Sequence, residues 1–348
     1  MKFIYTLLMF VPALLMAQFN GPEAVDHDPS TDLYYISNKS GGSILVGPAG
    51  GPYSTLTSSV SSPHGIEVIA DTVYVCDGNS IKAFQLPGGA LVNTYTISGA
   101  SFLNGLTSDR DHMLWFTDFS QKRIHSLDLT TGQDQIIVTN TVSTPNGIIL
   151  DEPNSRLVIV TWGSNAPILQ YDLLSNALST VVPGTGLNNC DGVALGCDGK
   201  FYVSSWGAGA IHTYNNDLSM GPTLFVNGLS QPSDIHYNIV ADTVVSPNFG
   251  SSTVTFHNDP CLGTGIQEQE ISSFNVWPNP GNGLLQLNGS TFGDLQIFDQ
   301  QGRLVQDMEV NGSNIDLQYL ANGQYVLTFT DKKSETVYRT KYLKTSNK

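Results

Sequence analysis

The chain has 348 residues, 40% of them hydrophobic and only 13% charged, enough to bury at least one large core. Its formal charge of −15 repels phosphate backbones and excludes nucleic acid as a natural partner. Thirty-four glycines and 17 prolines, abundant Thr, Ser, Val, Ile and Tyr, and no long amphipathic helical run indicate an all-β chain of short strands.

The first residues, "MKFIYTLLMFVPALLMAQ", place Lys2 before an apolar run and Met16-Ala17 before Gln18. This is the plan of a secretory signal peptide over residues 1–17, cut after Ala17. No later stretch reaches the roughly 18 apolar residues of a membrane span, so no transmembrane segment is expected. Residues 18–270 carry 7 Lys and Arg against 23 Asp and Glu, whereas residues 271–348 carry seven of each. Such a shift implies two domains.

A repeat of about forty residues fills the first of them. Its copies open at Glu23, His64, Asn104, Asn146, Asp191 and Ser233, at intervals of 41, 40, 42, 45 and 42 residues. After each opener comes a short strand, a turn rich in Asp, Pro and Gly, and a strand of alternating aromatics and aliphatics such as "LWFTD". A third and a fourth strand follow. Four antiparallel strands per repeat make a propeller blade, and six blades predict a six-bladed β-propeller over residues 18–262. The sixth copy shows three clear strands, and "QFNGP" before Glu23 is short for supplying a fourth.

In a propeller the first strand of each blade lies beside the central channel, so the six openers form a ring at its mouth. A glycine, or Ala24 in the first copy, usually follows the opener because six backbones converge there. Two carboxylates, two amides and an imidazole on one axis offer hard donors for a divalent cation, Ca²⁺ first, with Mg²⁺ or Mn²⁺ also suited. The competing reading is that Asn and Asp before Gly are strand-start turn residues bonding nearby amides. Ser233 and Asp234 are read in that way, and His64 alone reads as a hydrogen-bonding channel residue. Trp115, Trp162 and Trp206 recur in second strands and are expected to pack in the core or between blades. Cys76, Cys190, Cys197 and Cys261 show neither a disulfide framework nor a zinc spacing. No G-x-S-x-G elbow or phosphate-cradling loop is present.

"CDGVALGCDGKFYVSSWGAGAI" and "TPNGIILDEPNSRLVIVTWG" resemble blades of the senescence-marker-protein, or gluconolactonase, family of six-bladed propellers. The resemblance covers roughly residues 21–258, and blade-level likeness is shared with NHL-repeat propellers. It implies a divalent cation held by Glu23, Asn146 and Asp191, with Asn104 on the metal-site water or substrate; His64 is extra to the family pattern and is a candidate substrate-binding residue by its place in the ring. Asp191 would then act as the catalytic base. The chain departs from the family where Glu23-Ala24-Val25 replaces Glu-Gly-Pro, and where Phe102 stands in place of an arginine near Asn104.

Past "DPCLGTGIQEQEISS", with residues 263–271 as linker, residues 272–348 change character. "NVWPNPGNG", "LQIFDQQGRLV", "IDLQYLANGQYVLTF" and the closing "KYLK" resemble the C-terminal sorting domain of type IX secretion cargo. The resemblance implies a small immunoglobulin-like β-sandwich, a partner in the type IX machinery, and a route through the periplasm and outer membrane to a secreted or cell-surface location. Two functions stay open: a metal-dependent hydrolase of a lactone or similar ester at the channel, or a non-catalytic extracellular scaffold binding glycan, peptide or protein.

Overall fold

The computed structural model describes residues 19–260, 272–273, 276–287, 292–300, 303–333 and 337–345. The expected signal peptide, the expected linker and Cys261 lie outside these residues. The chain divides into two compact units between Gly263 and Thr264.

The first unit is a β-propeller. Blades one to five are each a four-stranded antiparallel sheet with strands in sequence order. Their inner strands are Pro22–Asp28, Pro63–Ile69, Leu103–Ser108, Thr144–Asp151 and Cys190–Leu195. The sixth blade has three strands among the described residues, with His236–Asn238 innermost and Thr253–Asn258 outermost. Burial declines outward within each blade: in blade two the inner strand is wholly buried, while the outer strand Ala90–Thr96 is almost wholly exposed. Inner strands therefore tolerate apolar residues on both faces, and outer strands carry the polar ones.

The core is a set of inter-blade layers, not one central cluster. Val73, Val75 and Phe84 of blade two pack with Ala24, Tyr35 and Ile44 of blade one. Phe201 and Val203 of blade five pack in the same way with Val158 and Val160 of blade four. Full burial of each Val, Ile or Phe side chain is worth about 1.5–3 kcal/mol, so the disc is held mainly by these radial layers.

The ring closes by packing, without a shared strand among the described residues. Val25, Tyr34, Ile36 and Tyr53 of blade one bury against Val245 of blade six. Asn238 Nδ2 donates to Tyr34 Oη at 2.6 Å, and the Asp234 amide donates to the Glu23 carbonyl at 2.8 Å. The end of blade six is tied to blade five where Lys200 Nζ and Tyr202 Oη both donate to Asp259 Oδ2. Cys76 and Cys190 are free and buried, but Cys197 is disulfide-bonded. This corrects the expectation that the four cysteines form no disulfide framework, which rested on local spacing alone.

The second unit is a two-sheet sandwich. A five-stranded sheet, with Gly323–Asp331 and Phe292–Phe298 at its heart, accompanies a three-stranded sheet that contains Leu284–Leu287. Alternate residues Leu295, Ile297, Leu327 and Phe329 turn inward to meet Leu285, Leu287 and Ile315.

Candidate functional site at the channel mouth

The openers stand on β-bulges. In blades two to five the register skips two residues on the inner strand against one on its neighbour: His64-Gly65, Asn104-Gly105, Asn146-Gly147 and Asp191-Gly192. In blade one Glu23 alone is extra. A bulge frees its residue from ladder pairing and re-aims the side chain, and here it aims it along the channel. A Cβ at Gly65, Gly105 or Gly147 would strike the next opener's carbonyl oxygen, so only glycine lets adjacent inner strands meet.

Hydroxyls opposite the bulges collect the displaced amides. Thr117 Oγ1 accepts from the Gly105 amide (2.9 Å) and donates to the Asn146 carbonyl (2.7 Å). Ser204 Oγ accepts from Gly192 (2.7 Å) and donates to Ser233 O (2.7 Å). Ser37 Oγ accepts from Ala24 at 2.9 Å. Each hydroxyl in blades three and five thus stitches its own bulge to the following blade.

All six openers are at most 6% exposed. Asn104 Nδ2 donates to Asn146 Oδ1 at 2.5 Å, and Asn146 Nδ2 to the Cys190 carbonyl at 3.2 Å. His64 Nδ1 bonds the Ser62 carbonyl at 2.8 Å. Glu23 Oε2, Asp191 Oδ1 and His64 Nε2 are buried with no hydrogen-bond partner among the described residues. Burial pushes Glu23 well above the usual carboxylate range, Asp191 adds repulsion, and Lys39 offsets part of both. Burial also pushes Asp191 up to about 7, against the pull of Asn146 and Lys39. His64 is driven down to about 3 by burial and by Lys39, so its ring is neutral.

Two facing buried carboxylates with unpaired oxygens, two amides and a neutral imidazole are a donor set that fits a hard divalent cation. Among the described residues no group of three or more His, Cys, Asp or Glu side chains could hold a metal, so any cation here depends on the asparagine oxygens as well as the carboxylates. Ser233 contributes no free group: its Oγ bonds back to the Gln231 carbonyl.

Sequence reasoning missed three features. First, Asp234 occupies the place that glycine takes in blades two to five. It is held well above the usual carboxylate range by burial, then by Glu23 and Asp191. The signal was there, since the sixth copy alone breaks the opener-glycine or opener-alanine rule. Second, Trp115 packs in the core, at 9% exposure, and Trp162 and Trp206 pack between blades, both as expected, but the chain of rings they belong to extends beyond the tryptophans. Level with the openers, a half-buried aromatic arc runs from Phe102, just before the inner strand of blade three, through Phe119, Trp162, Trp206 and Phe249 at the ends of second strands. Consecutive centroids are 5.2, 6.2, 5.2 and 5.4 Å apart. Phe102 meets His64 edge-on at 4.7 Å, and Lys39 Nζ lies 5.3 Å over Phe249. These residues sit at or beside strand ends, where alternation no longer says which way a side chain points.

Third, the repeat read three positions past each opener gives a second column: Asp26, Glu67, Thr107, Ile149, Ala194 and His236. At this far end of the channel Arg110 Nη2 donates to Asp26 Oδ1 (3.0 Å), His236 Nδ1 lies 3.1 Å from the same oxygen, and the Val68 amide donates to Oδ2 (2.7 Å). Burial works to raise Asp26, yet Arg110, then His236 and the Val68 amide, outweigh it and hold the carboxyl below its usual range. Ser108 Oγ donates to Glu67 Oε2 at 2.7 Å. Glu67 is nonetheless pushed up to about 8, by burial first and by Asp26 second.

Comparison with known proteins agrees with this architecture. Among solved structures, a chain of Kuenenia stuttgartiensis hydrazine synthase superposes with a TM-score of 0.52 at 11% identity, over 72% of this chain and 98% of that one. A chain of a nidogen/laminin complex superposes with a TM-score of 0.50 at 14% identity, over 65% and 93%. At such identities the likeness is one of fold: the body is a β-propeller. Residues 275–342 match the secretion system C-terminal sorting domain family. No curated protein matches the chain. The molecule is thus a propeller whose sorting domain directs it through type IX secretion to the cell surface or the extracellular space.

Proposed function

We propose that the propeller is an extracellular recognition module whose channel mouth holds a divalent cation, Ca²⁺ by donor type, within the aromatic arc. Glu23, Asn146 and Asp191 are the ligands, with Asn104 and His64 beside them. One observation carries this reading: Glu23 and Asp191 leave buried carboxylate oxygens unpartnered on a single axis. A cation satisfies both, whereas without one each stays an uncompensated buried acid. The surrounding rings, with Lys39 among them, favour a ligand that has flat apolar faces and hydroxyls, such as a glycan. Calorimetric titration of metal-stripped full chain with Ca²⁺ and Mn²⁺ tests the cation. One ion per chain, lost in Asp191→Ala, supports the reading, and no binding by the wild type ends it. A glycan array with and without Ca²⁺, repeated with Trp162→Ala, tests the ligand.

A second reading, hydrolysis of a lactone or similar ester, is favoured by Asp191. A buried carboxyl titrating near 7 with a free Oδ1 suits a general base at neutral pH. A bound cation would supply carbonyl polarisation. The close-packed aromatics and the deep burial of the openers weigh against free substrate entry. Turnover of a lactone panel that vanishes in Asp191→Asn would move this reading to first place.

A further inference from the structure

The far end of the channel opens into a cavity of about 460 Å³. Its walls are aliphatic side chains of the inner strands, Ile66, Leu106, Ile148 and Val193 among them. Two exposed aliphatics, Ile239 and Val240, line its mouth. The polar groups that reach it are few and converge: Glu67, Asp234, Arg110, His236, His27 and Glu152. An apolar, pre-formed hollow with a few placed polar groups is the usual form of a small-molecule site.

The pairing of those groups decides what charge the hollow accepts. Arg110 is committed, with Nη2 on Asp26 and Nη1 on the Val68 carbonyl. His236 is bonded to Asp26, and His27 Nε2 to Asp32 Oδ1 at 2.9 Å. Glu67, 8% exposed, takes one hydrogen bond, from Ser108 to Oε2. Its Oε1 and the carboxyl of Asp234 have no hydrogen-bond partner among the described residues, and both side chains line the cavity. A cation placed here lets both carboxyls ionise and gives each its missing partner, whereas an anion opposes their ionisation and finds no uncommitted basic group to meet it.

The geometry points to a second ligand site, separate from the opener ring, for a small organic cation: an amine whose ammonium group sits on Glu67 and Asp234 and whose apolar body lies against the inner-strand aliphatics. Room for such a body is ample, since drug-sized ligands occupy hollows of about 300–1,000 Å³.

The test is calorimetry on the secreted full chain in EDTA with two ligands, phenethylamine and phenylacetate. They share a ring and differ in the sign of the charged end. The expected result is saturable binding of the amine at one per chain and none of phenylacetate over the same range. Glu67→Gln, which keeps the Ser108 contact and the side-chain shape, weakens the amine at least tenfold, and Asp234→Asn does the same. Asp191→Asn leaves saturable amine binding in place, because Asp191 repels Asp234 but does not line the cavity. The inference falls if phenylacetate binds as well as the amine, if the amine does not bind, if both far-end variants bind like wild type, or if Asp191→Asn abolishes binding. Should Glu67→Gln not fold, Asp234→Asn decides alone. The EDTA keeps this outcome separate from the Ca²⁺ titration of the opener ring.

Discussion

The two ends of one channel handle buried charge in opposite ways. At the far end Asp26 is fully matched by Arg110, His236 and a backbone amide, and its carboxyl is held below the usual range. At the opener end Glu23 and Asp191 face each other with unpartnered oxygens and Lys39 as a distant cation, and both are pushed up. Matched charge of this kind is architecture: it locks blades one, two, three and six together. Unmatched charge of the second kind persists in a fold only when something else completes it. Glu67 and Asp234 belong to the unmatched class although they sit beside the matched one. Position along the channel therefore does not reveal role, but pairing does.

The contrast can be broken most sharply at Arg110. Arg110→Ala leaves Asp26, 1% exposed, without its main partner and should cost about 3 kcal/mol, read as a lower urea midpoint at constant slope. A comparable effect of opposite sign is expected when Ca²⁺ is added at the opener end. At a hundred times its dissociation constant the ion should stabilise the fold by about 2.7 kcal/mol, visible as a rising thermal midpoint. Asp191→Asn should remove that response while raising the midpoint of the metal-free protein, because a repelled buried carboxylate is gone. A midpoint unmoved by the ion in the wild type would make the openers strand-start residues and nothing more.

Two further effects sharpen the picture. Glu67 titrates at about 8 in the fold against 4.5 for the ordinary group, so the folded state resists its ionisation. Its protonated form is kept at low pH, and stability falls as pH rises from about 4.5 through about 8, by up to about 5 kcal/mol if the whole shift is expressed. Thermal midpoints taken across that window should fall in the wild type and flatten in Glu67→Gln. Ser204→Ala should cost about 1 kcal/mol by stranding the Gly192 amide, with the melt changed and Ca²⁺ affinity nearly unchanged. A large loss of affinity would show instead that the stitch aims Asp191.

The fold was legible because the opener-glycine word recurs at intervals near 41 residues, and only converging inner strands demand glycine at that spot. Four ring members were readable for the same reason, Glu23 by its place before Ala24, and Ser233 was read as a turn residue, in line with its bond to the Gln231 carbonyl. What escaped is Asp234, which stands where glycine marks the register in blades two to five. The far-end column was hidden by habit, not by chemistry. Asp26 and Glu67 stand in the middle of inner strands, where a charged residue is costly and hence informative, yet reading by alternation alone passes over them. The aromatic arc was legible only in its two tryptophans. Trp162 is the last paired residue of its second strand, Phe119, Trp206 and Phe249 follow theirs, and Phe102 precedes an inner strand in the loop whose Ser101 and Phe102 amides donate to Asp118.

The bulges have a consequence for how such a molecule can change. In blades one to five the opener is released from ladder pairing, so its side chain bonds outside the ladder, as Asn104 does to Asn146 and Asn146 to the Cys190 carbonyl. The disc behaves as a chassis with a socket on five of its blades, and what is plugged into a socket can be exchanged one residue at a time. Glutamate, histidine, asparagine and aspartate already occupy different sockets on the same frame. New chemistry at the axis needs no new architecture.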